Sequence, residues 1–89
     1  MNENLVYIRI EDGVVTFERM STGETIDCEV TKVQNIEKFN VNDIIVSEVT
    51  ENDGDVYICL LELNTNEMER VQKEIAPLVA SLMRRMRKN

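Results

Sequence analysis

The chain of 89 residues contains no histidine and no tryptophan, one proline, three glycines and two cysteines. Without histidine, a general base at neutral pH would have to be a strongly shifted carboxylate, lysine or cysteine. The isolated glycines Gly13, Gly23 and Gly54 each stand in a turn context, so they cannot build a glycine-rich phosphate loop. Cys28 and Cys59 are far apart in the chain and form no CxxC, so neither a metal site nor a redox pair has its required spacing. Both fall in apolar strand patterns and read as buried free thiols acting as small hydrophobes. The serines Ser21, Ser47 and Ser81 lack a nucleophile-elbow context. No catalytic residue, no metal site and no cofactor is expected, and the chain reads as a protein that is not an enzyme.

Long apolar runs are missing too. No stretch approaches the ~18 residues of a membrane span, and the opening MNENLVYIRIED has no basic segment followed by an apolar one. These features predict a cytoplasmic protein without membrane partners. Basic residues are scarce in the first two-thirds: residues 1–63 hold 14 acidic and 4 basic side chains, a net −10, whereas residues 64–89 carry +3. An acidic body repels nucleic acid at long range, so general DNA or RNA binding is not expected. The acidic stretch Glu51–Asp55 fails as a calcium loop. With Gly54 at loop position six, the first and last ligands would be Val49 and Leu60.

What is present is a strand pattern. Leu5–Ile10 is apolar and β-branched, and it ends at Asp12-Gly13, a strong hairpin signal. Val14–Met20 returns, Ser21–Glu24 turns, and Thr25–Val30 alternates with Ile26, Cys28 and Val30 on one face. Residues 31–43 are less regular; a short turn of helix or a wide loop there would place Val33, Ile36 and Phe39 against the mouth of a barrel. Ile44–Val49 and Val56–Leu63 follow as strands, joined by a turn at Asp53-Gly54.

From Asn64 onward the period changes. Asn64 with Glu67 and Asn66 with Glu69 form overlapping capping boxes. Met68, Val71, Ile75, Leu78, Leu82 and Met86 recur at spacings of three and four, and Val79 and Met83 widen the stripe. Glu67–Arg70 and Glu69–Lys73 are spaced for helical ion pairs. Pro77 falls on the polar face, where its lost hydrogen bond is solvated and the helix bends. Arg84, Arg85, Arg87 and Lys88 crowd the final turn. They either match the helix macrodipole or form a partner-binding tip. The stripe either docks on its own sheet or pairs with a second copy, giving a homodimer.

The spacing therefore predicts a single α+β domain over 1–89. Its β-body (1–63) is a five-stranded antiparallel sheet or small barrel, followed by one long C-terminal amphipathic helix (64–89). The step Phe39-Asn40-Val41-Asn42-Asp43-Ile44-Ile45 resembles the strand-opening step of SH3-like and OB-like small barrels. Its physical content is a residue tolerant of a left-handed backbone, then an aspartate that braces the turn. With Ile26-Asp27 and the basic segment SLMRRMRK, the chain also resembles a small bacterial family with a short acidic β-body and no assigned activity. Asn42 stands where that family usually has glycine, and Pro77 is a further departure. The resemblance implies a fold and no mechanism.

Two functional readings arise. The first is a protein-interaction module that binds a protein partner or itself through the helix, with Arg84, Arg85, Arg87 and Lys88 as candidate contacts. The second is an acidic decoy of phage type that occupies the basic channel of a nucleic-acid-binding enzyme. A membrane-surface helix would want Trp or Phe beside its basic residues, and this one has neither.

Overall fold

A computed structural model of the chain describes residues 2–71. Three strands form a meander: β1 (Asn2–Glu11), β2 (Val14–Arg19) and β3 (Thr25–Glu29). A 3-10 turn, η1 (Val30–Lys32), leads into β4 (Val33–Gln34), and a second 3-10 turn, η2 (Ile36–Lys38), comes next. β5 (Ile44–Asn52) and β6 (Asp55–Leu63) make the last hairpin, and one helix, α1, covers residues 65–71. No helix among the described residues is long and apolar enough to cross a membrane.

Both long hairpins turn as Asp-Gly pairs dictate. Glu11 pairs with Val14 and Asn52 with Asp55, leaving two-residue loops. Asp12 and Gly13 have φ of 51° and 75°, and Asp53 and Gly54 have φ of 52° and 82°. Positive φ at both central residues is the type I′ turn, whose twist matches that of the flanking strands.

The six strands lie in the order β3-β2-β1-β5-β6-β4. Every ladder is antiparallel except β4 with β6, where Val33 pairs with Ile58 and Gln34 with Cys59 in parallel. β3 and β4 are thus the two edges of the sheet, yet only the three residues of η1 separate them. Three residues reach about 10 Å at most, so the sheet must curl until its edges meet. Bulges assist: Ile8 in β1 and Leu61 in β6 each sit where the register shifts, and a bulge bends its strand and adds twist. At the seam, Cys28 Sγ donates to the Val56 carbonyl at 3.3 Å, while the Val30 amide, donating to the Gly13 carbonyl at 2.8 Å, continues the pairing of β3 with the β2 side. Arg19 Nε lies 3.0 Å from Glu3 Oε1 across β1 and β2, an ion contact in which neither buried atom has an aligned hydrogen bond.

The core fills the inside of the curl. Leu5, Val15, Phe17, Ile45, Ile58 and Leu60 are at most 1% exposed, and the Tyr7 and Phe17 rings meet with centroids 5.6 Å apart. Each such side chain contributes about 1.5–3 kcal/mol by leaving water. Val33 joins this cluster, and Ile36 and Phe39 pack against it, as the apolar points of residues 31–43 suggested. Ser47 is the polar member; its hydroxyl donates to the Ile45 carbonyl at 3.0 Å, so no group is left unsatisfied there.

The strand opener behaves as its chemistry requires. Asn42 takes φ of 79°, and Asp43 Oδ2 accepts the Asn40 amide at 2.8 Å. The backbone on either side then clasps β1: the Asn42 amide donates to the Tyr7 carbonyl, and the Tyr7 amide to the Asp43 carbonyl.

The architecture corrects the expected one. The sheet has six strands and is mixed, not five and antiparallel, because residues 33–34 lie alongside β6. A two-residue strand shows no period of its own; it forms because η1 delivers Val33 to a core position beside Ile58. The second correction concerns the helix. Among the described residues β6 leads into α1, seven residues long, and not into the long C-terminal amphipathic helix expected over 64–89. Of the two capping boxes only half of the first is made: Asn64 Oδ1 accepts the Glu67 amide at 3.1 Å, but the Asn64 amide does not bond back to Glu67. Asn64 is fixed there because its amide donates to the Ile44 carbonyl and its Nδ2 to Asn4 Oδ1. Asn66 falls inside the first helical turn instead. Arg70 and Glu67 form the expected pair at 2.7 Å. Pro77 and the Glu69–Lys73 pair's lysine lie outside the described residues.

Candidate functional site

The expected partner-binding residues Arg84, Arg85, Arg87 and Lys88 lie outside the described residues. Within residues 2–71 the side chains that gather are different ones, and the curl of the sheet gathers them. In β6, Ile58 and Leu60 face the core, so Tyr57 and Cys59 face outward. Their cross-strand neighbours on β5 are Thr50 and Glu48, and Gln34 of β4 lies beside Cys59 on the other side. With Thr31 and Lys32 of η1 these residues line an open cleft of about 510 Å³. That volume lies within the range of small-ligand sites.

Lys32 is the hinge of this region. Its Nζ lies 3.0 Å from Asp55 Oδ1 and 3.7 Å from Glu29 Oε2, and 5.7 Å from the centroid of the Tyr57 ring. One cation thus ties η1 to the end of β3 and the start of β6, across the seam that no ladder closes among the described residues. The hydrogen bond to Asp55 raises the Lys32 pKa above its ordinary value.

On the far side of Lys32 the surface is acidic. Asp27, Glu29 and Asp55 border a hollow of about 190 Å³, and Asp27 also borders a second of about 230 Å³ with Arg9, Glu11 and Asp12. Asp27 is held in place by the Thr16 hydroxyl, which donates to its Oδ1 at 2.7 Å. Glu51 and Asp53 are exposed at the nearby β5–β6 turn. Among the described residues no group of three or more His, Cys, Asp or Glu converges as a metal site.

The two thiols differ. Both are free. Cys28 is buried at the seam, and burial pushes its thiol pKa up, with Lys32 opposing and Glu29 adding to the shift. Cys59 is half-buried at the floor of the cleft, not enclosed as its apolar strand suggested.

These shifts make stability depend on pH. The folded state holds the Cys28 and Lys32 protons more tightly than the unfolded chain does. The stability this adds is complete below the ordinary thiol value of 9.0 and is lost as pH rises through the folded values. The urea midpoint is expected to fall from about pH 9 upward, and less steeply in C28A. An identical slope in C28A would contradict the assignment.

The apolar run of β6 led Cys59 to be read as buried, although Tyr57 and Cys59 have the opposite parity to Ile58 and Leu60. Lys32 and Gln34 were not legible, because their place depends on β4. Compared with protein-family models, curated proteins and solved structures, the chain matches none, so its function is argued from its own residues.

Proposed function

We propose that the chain is a non-enzymatic protein-interaction module whose partner presents a basic surface. The observation that supports this reading is the acidic cluster of Glu11, Asp12, Asp27, Glu29 and Asp55 around two adjoining hollows, with Arg9 at one margin, and with Glu51 and Asp53 exposed at the neighbouring β5–β6 turn. It crosses the seam, and the nearby Lys32 is already engaged by Asp55 and Glu29. An acidic cluster steers an oppositely charged partner and sets its register more than it sets raw affinity. An acidic decoy, seated in the basic channel of a nucleic-acid-binding enzyme, is the narrower form of the same reading. Self-association through the expected C-terminal helix (64–89) rests on residues 72–89, outside the described ones.

The test is comparative capture from a cell lysate by the full chain and by E29Q/E51Q/D53N, which leaves the Lys32–Asp55 contact in place. Basic proteins are expected on the unsubstituted chain alone. They should be released near 1 M salt, where the screening length is about 3 Å. The same proteins on both chains, or retention at high salt, would contradict the proposal. Competition by DNA for a captured enzyme would select the decoy form.

A further inference from the structure

The geometry points to the cleft beside β6 as the site that receives an arginine side chain of the partner. This rests on the interaction reading and specifies where one residue of that partner sits. Glu48 is exposed on the cleft wall, and no ion pair or side-chain hydrogen bond engages it among the described residues. Lys32, the cation on the opposite wall, is turned to Asp55 and Glu29. Among the described residues the one cleft charge without an ion-pair partner is that of Glu48, which selects a cation over an anion. Tyr57, 42% exposed, lines the same cleft, with the chain's own Lys32 Nζ 5.7 Å from its ring centroid. Thr50 and Gln34 add acceptor oxygens on either side of Tyr57 and Cys59.

Arginine fits this set better than lysine. Its planar fork can bond a carboxylate through two parallel N–H groups, and its flat face stacks on aromatic rings. A lysine ammonium would meet the same carboxylate as a point charge, without the two parallel bonds.

Cys59 supplies the readout, because it lies on the cleft floor opposite Glu48. The chain has only one other thiol, Cys28, which is buried and bonded to the Val56 carbonyl. The experiment tracks two signals on the full chain with a labelled hexa-arginine peptide. Anisotropy reports binding, and site-resolved alkylation by iodoacetamide reports occupancy of the cleft. At a peptide concentration about ten times its dissociation constant, alkylation of Cys59 is expected to slow about tenfold. Hexa-citrulline, of the same shape without charge, is expected to give no slowing. In E48Q the slowing is expected to disappear while some binding to the acidic cluster remains. Binding without protection of Cys59, or protection that persists in E48Q, would overturn the cleft assignment and leave the interaction reading standing. No binding by anisotropy would overturn both.

Discussion

Phe17→Ala is expected to remove about 3–5 kcal/mol of stability, the usual cost of deleting a fully buried ring. Phe17 is 0% exposed, lies on β2 between β1 and β3, and packs its ring against Tyr7. A chain of 89 residues has about 4–13 kcal/mol in total at typical values per residue. The substitution thus takes a large share of what holds the fold, and the thin core offers few neighbours that could collapse into the space. Urea denaturation monitored by circular dichroism reads the effect. Leu61→Ala is the control. Leu61 is 45% exposed at a bulge, and its loss is expected to cost no more than about 0.5 kcal/mol. A Phe17→Ala loss below about 1 kcal/mol would show that the ring is not enclosed as described.

The second large effect concerns β4, the strand whose two residues face opposite ways. Val33 is 7% exposed and belongs to the core cluster beside Ile58, whereas Gln34 is exposed beside Cys59. Val33→Asp buries a carboxylate in the apolar cluster. It is expected to cost about 4 kcal/mol or more, among the largest single-residue effects. Gln34→Ala, one residue on, is expected to stay within about 0.5 kcal/mol. If both substitutions behave as surface changes, residues 33–34 do not line the core and the parallel pairing with β6 is wrong.

Most of the strand content was readable because it is written in local chemistry. The Asp-Gly pairs at 12–13 and 53–54 fix two hairpins, and the alternation of Ile26 and Cys28 with Asp27 and Glu29 fixes the faces of β3. The brace at Asn42-Asp43 was also legible, since only a few residues tolerate a left-handed backbone and one of them precedes an aspartate. The closure could not be read. Nothing in Val33-Gln34 marks a strand. Their pairing is created by distance, because η1 must join opposite edges of one sheet. The helical periodicity past Val71 lies outside the described residues; the part described is anchored by Asn64 bonding to Ile44 and Asn4, which no helical pattern encodes.

The candidate site inherits that division. Tyr57, Cys59, Glu48 and Thr50 can be placed from strand parity, while Lys32 and Gln34 enter only once β4 lies on β6. The basic residues that dominated the sequence, Arg84 to Lys88, lie outside the described residues, and the acidic cluster carries the functional proposal in their place.

The curled sheet with β4 parallel to β6 is the claim on which the seam, the Lys32 contacts and the cleft all depend. Nuclear Overhauser contacts in the isotope-labelled full chain test it most directly. The structure predicts interstrand contacts joining Val33 to Ile58 and Gln34 to Cys59 in a parallel pattern, with contacts from Lys32 to Asp55 and Tyr57. An antiparallel pattern at these residues, or no contact between residues 31–35 and β6, would contradict the account.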